Sequence, residues 1–414
     1  MNSLTQQTVL VGIDWADQTH AYHIQAQQKQ TAGLLEQDAS AIQDWISQLR
    51  KQHPDCQFAI AIETTKGAII SALLQHDDIT IYPINPTALA AYRKAFAHGG
   101  GKNDPGDAML LCQYLTHYIE KLRPLQRDAA LTRKLAAMSE DRRRLVDQRT
   151  AHCNELKAVL KTYFPEVLKL EAARIYADFI IAFLLKYPNL AACQKAGASR
   201  LRKLFYGIGT RAKAEKRVQL LLDAIALSND ETFNETCSMR VQALAALIQT
   251  YNAQIRIFDA RIAEAVVDHE DYAIFKSLPG ASDLTHSRMI AAMGDDRSRY
   301  ADASSLQAAT GVAPLTTQSG KQRFVSARWA CTKFLRQTFH EYAGLSIAKS
   351  KWAAAYYKLQ LANGKSPQMA KRALAYKWQR IIFRCWHDRV PYNEAKHIQM
   401  LKKTGSPIYK LIEA

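Results

Sequence analysis

Four carboxylates are spaced so that they can meet at one point: Asp14, Glu63, Asp104 and Asp107. Asp14 closes the apolar run Val9-Leu10-Val11-Gly12-Ile13, and Glu63 closes Phe58-Ala59-Ile60-Ala61-Ile62. Asp104 and Asp107 lie in Lys102-Asn103-Asp104-Pro105-Gly106-Asp107-Ala108, ahead of a helical pattern. Two strand ends and a helix start can converge, and clustered carboxylate oxygens hold hard divalent cations that cut or join phosphodiesters. Each acid also has a plain structural reading. Asp104 as helix N-cap, Pro105 at the first helical position and Asp107 at the third would form a capping box. Glu63-Thr64-Thr65 can cap the next helix. Asp14 resists such a reading, because a carboxylate directly after an apolar strand needs a partner or a metal. Together, in this topology, the four favour a site for divalent metal ions. Asp17 and His20 are weaker additions.

Ser319 is the second candidate. It sits in Thr316-Thr317-Gln318-Ser319-Gly320-Lys321, which reads as a turn, and from Gln-Ser-Gly alone it is an ordinary turn serine. Its surroundings add Lys321, Arg323 and Arg328. A serine attacking phosphorus needs positive donors for the extra oxyanion charge, and a base or metal to take its proton. The segment supplies the donors but no nearby acid or histidine, so the base must come from elsewhere, with the carboxylate site the natural source. Gly99-Gly100-Gly101-Lys102-Asn103 fails the phosphate-loop pattern, since position 96 is Phe and position 103 is Asn.

The elements that must position these groups are legible from hydrophobic period. The first ~125 residues alternate strand and helix as β-β-(β)-α-β-α-β-α, an α/β domain with a mixed sheet over 1–125. From about 128 the spacing becomes 4-3: positions 131, 135, 138, 142, 145, 149, 152, 156, 159 and 163, and again 241 to 262, mark long helices with a coiled-coil seam. Arg142, Arg149 and His152 interrupt that seam and are expected to face another chain or a nucleic acid. The middle region, 126–270, is thus a helical pair carrying an inserted basic lobe at about 165–238. The lobe suits either a helix–turn–helix that touches phosphates, Arg211 among them, or a solvated hairpin. A mainly α region, 271–414, follows.

The 414 residues carry 55 Lys and Arg against 38 Asp and Glu, a net charge of +17. Residues 1–120 are net −5, so the remainder is net +22. An acidic head on a basic body suggests a polyanion held by one part and attacked by the other. Across 319–390 there are 15 Lys or Arg, two acids and 12 aromatics. Basic side chains track a phosphate backbone, whereas flat rings fill cores or stack on bases. Lys102, Arg211, Lys321, Arg323, Arg328, Lys333 and Arg336 are the candidate nucleic-acid contacts. No apolar run reaches the ~20 residues of a membrane span, no signal peptide is evident, and seven dispersed cysteines lack ligand spacing. A cytoplasmic protein with reduced thiols is expected.

Gly12-Ile13-Asp14, Ile62-Glu63, Lys102 to Ala108, Leu278-Pro279-Gly280, Gly311-Val312-Ala313-Pro314 and Gln318-Ser319-Gly320 occur in that order. The series resembles the DEDD transposases of the insertion-sequence "one-ten" family, the bridge-RNA-guided recombinases, over roughly 5–125 and 271–390. The resemblance implies a RuvC-like, RNase H-type domain whose acids, here Asp14, Glu63, Asp104 and Asp107, bind magnesium. It implies a C-terminal transposase domain with a nucleophilic serine, here Ser319, that becomes linked to a DNA phosphate. It further implies donor and target DNA as substrates, a structured non-coding guide RNA that pairs with both, and a bacterial or archaeal homo-multimer, dimer or tetramer. In that multimer the acids of one subunit work with the serine of another. One departure stands out: Pro279-Gly280-Ala281-Ser282 lacks the second glycine of the family's Pro-Gly-(Ile/Val)-Gly, which puts a backbone-amide phosphate grip in doubt. The residues alone leave two alternatives open, a metal-dependent structure-selective nuclease and a non-catalytic nucleic-acid-binding scaffold.

Overall fold

The computed structural model describes residues 8–96, 103–170, 174–207, 211–320, 322–329 and 331–413, with the backbone alone at 211 and 212. The chain divides into two compact units, 1–127 and 128–414.

The first unit is built on a five-stranded sheet. Its elements are β1 (Thr8–Asp14), β2 (Thr19–Ala26), β3 (Lys29–Glu36), α1 (Ala39–Gln52), β4 (Gln57–Ile62), α2 (Ala68–Leu73), β5 (Ile79–Pro83), α3 (Pro86–Phe96) and α4 (Asp104–Tyr118). The strand order is β3-β2-β1-β4-β5. β1 to β3 form an antiparallel meander, whereas β1, β4 and β5 are mutually parallel. This mixed order is that of the RuvC-like, RNase H-type sheet. β1 and β4 read as unbroken apolar runs because both faces are covered. Val9, Val11, Ile13, Phe58, Ile60 and Ile62 pack against α1 and α2. Leu10, Ala59 and Ala61 pack against α3 and α4.

The second unit is helical. α5 (Ala130–Tyr163) and α10 (Glu231–Val266) pair along their length. Between them come α6 (Glu166–Leu170), α7 (Asp178–Lys186), α8 (Leu190–Gly207) and α9 (Arg211–Leu222). The partners of rising α5 positions fall in number along α10: Arg142 bonds Asp259, Arg149 bonds Asn252 at 2.9 Å, and His152 stacks on Tyr251. The pair is therefore antiparallel. The three polar seam residues face the chain's own second helix, not another chain or a nucleic acid as the sequence suggested. Each meets a complementary polar or aromatic group there, and Arg149 also lies over the Tyr176 ring. One end of the pair shares a core with the lobe, including Leu156, Leu160, Phe183, Phe205 and Ile248.

The other end of the pair joins the C-terminal core through Leu135, Ala265 and Val266. Around them are α11 (Tyr272–Lys276), α12 (Asp283–Met293), α13 (Ala303–Ala309), the hairpin β6 (Leu315–Ser319) and β7 (Gln322–Ser326), α14 (Lys333–Ser346), α15 (Lys351–Ala362), α16 (Pro367–His387), α17 (Glu394–Lys403) and α18 (Pro407–Glu413). Trp352, Trp378 and Trp386 are fully buried in that core. Most of the region's rings thus pack inside, as the sequence suggested, while Phe324 and Trp329 are left exposed. No helix among the described residues is long and apolar enough to cross a membrane.

Candidate catalytic site

In the β1–β4 ladder Ile13 stands opposite Ile62. Asp14 and Glu63 are the next residues on two adjacent parallel strands, so the backbone brings them to the same sheet end. Side chains alternate along a strand, so Asp14 shares the face of Leu10 and Gly12, over which α4 runs. The contact is close: a Cβ on Gly12 would stand 2.0 Å from the Ala108 carbonyl oxygen and 2.5 Å from the Cys112 nitrogen. The Cys112 thiol reaches back to the Leu10 carbonyl at 3.6 Å. Moving up β1 from Leu10 to Gly12 therefore means moving down α4 from Cys112 to Ala108. The next step in that direction brings Asp14 at the strand end and Asp107 and Asp104 in the first helical turn. The backbone thus directs all four acids toward the sheet end where β1 and β4 stop.

The plain alternatives for these acids fail in a specific way. The N-cap of α4 is Asn103, whose side chain accepts from Gly106 N–H at 2.8 Å. Asp104 is the first helical residue and Asp107 the fourth, so the expected capping box is displaced by one position. Asn and Asp cap about equally well, and the chain uses the Asn. Glu63 does not cap α2 either. That helix begins after Gly67 without a side-chain cap, and Thr64 closes a local turn with Lys66. Two weaker candidates also resolve. His20 is buried, accepts from Ala16 N–H at 3.2 Å and meets Gln37, so it fastens the β1–β2 connection. Asp17 is simply exposed.

Asp107 is buried, 5 % exposed, and receives Arg93 Nη2 of α3 on its Oδ1 at 2.6 Å. Arg93 was not legible as a site residue. Its only sequence signal is a basic pair, Arg93-Lys94, eleven residues before Asp104. Hard carboxylate oxygens at one sheet end are the right donors for Mg2+ or Mn2+. Among the described residues, though, no three acid, histidine or cysteine side chains stand in a metal-holding arrangement. The donor chemistry and backbone placement fit a hard cation, while Asp107 is turned to Arg93.

Ser319 is not in a simple turn. It is the last residue of β6, paired with Gln322 of β7, and Gly320 takes the left-handed conformation (φ 55°) that closes the hairpin. The β-branched and aromatic residues Thr316, Thr317, Phe324 and Val325 account for the strands. Every described residue of the ribbon is exposed. Its root is fixed: Arg372 of α16 donates to the Gly311 and Val312 carbonyls at 3.0 and 3.2 Å, and Gln379 donates to Thr310 at 2.6 Å. The serine thus stands at the exposed tip of an anchored ribbon. Arg323 lies on β7 and is exposed; Arg328 is half-buried; Lys333 begins α14. Arg336 lies over the ring of Trp329, which is 79 % exposed. Lys102, Lys321 and the side chain of Arg211 lie outside the described residues. The start of α12 is already occupied by acid: Asp283 accepts from the Tyr272 hydroxyl at 3.0 Å and meets His286 at 3.3 Å. A negative charge there opposes phosphate, in keeping with the missing second glycine.

Residues 11–165 match a DEDD-type transposase family of IS110, and 272–358 match the transposase IS116/IS110/IS902 family. The chain is thus similar to IS110-type transposases in two separate regions. The first match contains all four acids and the second contains Ser319. A mini-circle putative transposase for IS117 from Streptomyces coelicolor is 27% identical over 403 residues, 94% of this chain and 96% of that protein. The IS116 uncharacterized 44.8 kDa protein of Streptomyces clavuligerus is 24% identical, over 82% of this chain and 84% of its own length. The IS900 uncharacterized 42 kDa protein of Mycobacterium paratuberculosis is also 24% identical, over 72% and 74%.

Proposed function

We propose that this protein is an IS110-type transposase, an RNA-guided DNA recombinase that exchanges strands through a serine–DNA phosphate intermediate. The observation that supports the reading is that Asp14 and Glu63 follow each other's register at the ends of two adjacent parallel strands, while the first turn of α4, with Asp104 and Asp107, runs toward the same end. Asp14, Glu63, Asp104 and Asp107 would hold Mg2+, which when bound supplies positive charge to a phosphate and lowers the pKa of an attacking hydroxyl. Ser319 Oγ attacks a DNA phosphorus, its proton leaves to a base, and the P–O3′ bond breaks. The products are a phosphoserine ester and a free 3′ hydroxyl. A 3′ hydroxyl of the other DNA then attacks the phosphoserine, rejoins the strand and releases the serine. One phosphodiester is exchanged for another at each step, so no energy source is required. Arg323, Arg328, Lys333 and Arg336, with Lys102, Lys321 and Arg211, would neutralise the backbone, and Trp329 offers a ring on which a base can stack.

Guide RNA, a homo-multimer and action in the bacterial or archaeal cytoplasm at the nucleoid complete the proposal. Support for them is the family likeness and the strongly basic second unit. The test is reconstitution with the structured transcript encoded beside the gene, donor and target duplexes, and Mg2+. Recombinant junctions should form only with matched RNA, and Ser319→Ala and Asp14→Asn should each abolish them. Recombination without the RNA, or normal strand cleavage by Ser319→Ala, overturns the proposal; the latter outcome would indicate a metal-dependent nuclease.

A further inference from the structure

The lobe between α5 and α10 lies outside both matched family regions. Its α8 breaks at Gly197 (φ 74°, ψ 167°), and the second half of α8 turns back along α9. Leu201, Phe205, Ala214, Val218 and Leu221 sink into the lobe core. The opposite positions of these helices must then face solvent. They hold Ser199, Arg200, Lys203, Tyr206, Lys213 and Lys216. Residues 195–217 contain eight Lys or Arg and one acid, Glu215. That acid is consumed inside the hairpin: Arg202 donates to both its oxygens at 2.9 Å and the Tyr206 hydroxyl donates at 2.6 Å. These bonds hold the Glu215 carboxyl below the usual range. None of Arg200, Lys203, Lys213 and Lys216 forms an ion pair with a described acid.

Two features say what such a surface fits. Its cations stand on two core-anchored helices around a shallow depression lined by Ser199, Arg202, Lys203, Tyr206 and Gly207. The side-chain amides able to read base edges, Gln194 and Gln219, are engaged elsewhere. Gln194 donates to the Leu222 and Ala224 carbonyls and Gln219 to Asp223. Cations without base-reading partners position a phosphate backbone and do not select sequence. We propose that the α8–α9 hairpin is a second, sequence-independent grip on a nucleic-acid phosphodiester backbone, separate from the basic surface beside Ser319.

The test compares the full chain with Arg200→Gln/Lys203→Gln/Lys213→Gln/Lys216→Gln. The control carries Lys396→Gln/Lys402→Gln/Lys403→Gln/Lys410→Gln, an equal charge change on exposed C-terminal lysines. Binding to a stem-loop RNA and to a DNA duplex is titrated by fluorescence anisotropy across salt, with thermal melting to confirm that both variants are folded. The hairpin variant should lose ~0.9 in log–log salt slope on duplex DNA for each phosphate contact removed, or about 3.6 for four cations. Affinity should fall at least tenfold for one probe, and the probe most affected identifies RNA or DNA as the ligand. An effect no greater than the control's on both probes overturns the proposal. The wild-type titration reports separately whether the chain binds nucleic acid at all, so failure of the functional reading is distinguishable.

Discussion

The placement of α4 over β1 rests on one residue without a side chain, and Gly12→Ala probes it directly. The added Cβ would stand 2.0 Å from the backbone oxygen of Ala108. Reaching the 3.4 Å of ordinary contact requires α4 to retreat by about 1.4 Å, because the obstacle is helix backbone and no rotamer can relieve it. Overpacking of this kind costs about 3 kcal/mol, equivalent to roughly 10 °C in the melting temperature of a unit this size. The same retreat moves Asp104 and Asp107 away from Asp14 and Glu63, and a misplacement of ~1 Å is worth about 100-fold in rate. Gly33→Ala is the control. There the Cβ meets the hydroxyl end of Tyr22 at 2.5 Å, a side chain that can swing, so the cost should stay within about 1 kcal/mol. Differential scanning calorimetry, hydrogen exchange of α4 amides and strand-cleavage rates read the three effects. If Gly12→Ala melts and cleaves like Gly33→Ala, the reasoning that this close contact sets the acid geometry is wrong.

Further outcomes follow from other contacts. Arg93→Gln strips the cation from the buried Asp107 and should destabilise the metal-free protein by about 3 kcal/mol. Added Mn2+ should restore the variant's melting temperature more than it raises the wild type's; no difference between the two would remove Asp107 from the ligand set. Burial pushes the Cys112 and Cys193 thiols up to about 12 and the Cys385 thiol up to about 11. A thiol titrates as thiolate only near its pKa, so iodoacetamide at pH 8 should spare these three in the native protein, as read by peptide mass spectrometry; labelling of Cys112 would mean that α4 does not cover β1. Arg372→Ala frees the Gly311 and Val312 carbonyls at the root of the Ser319 ribbon. It should speed hydrogen exchange across β6 and β7 with a stability loss of about 1–2 kcal/mol, and unchanged exchange would show that the root is held by other contacts.

Much of the first unit was legible because both sheet faces are buried. Double burial leaves β1 and β4 as continuous apolar runs, and against such runs Asp14 and Glu63 are conspicuous. The difference between Asn103 and Asp104 as cap was not legible, since neighbouring Asn and Asp have nearly equal capping ability and only the backbone geometry decides. The Arg93–Asp107 pair escaped because its partners lie on separate helices, and one helix's pattern carries no information about the other. Arg142, Arg149 and His152 looked unpartnered for the same reason; Asp259, Asn252 and Tyr251 answer them about a hundred residues later. The β6–β7 ribbon was read as a turn because a fully exposed hairpin shows no alternation of apolar and polar residues. α17 and α18 bury no residue completely and left no apolar run to read.

The central claim is that Ser319 becomes covalently bonded to a DNA phosphate in a reaction that needs the four acids. It is tested most directly by trapping the adduct on a nicked, end-labelled target duplex with guide RNA and Mg2+, then resolving it under denaturing conditions. The wild type should yield a protein–DNA species whose nucleotide-modified peptide maps to Ser319, and Ser319→Ala, Asp14→Asn and Asp104→Asn should yield none. An adduct on another residue, or one that persists undiminished when Asp14 and Asp104 are neutralised, would contradict it.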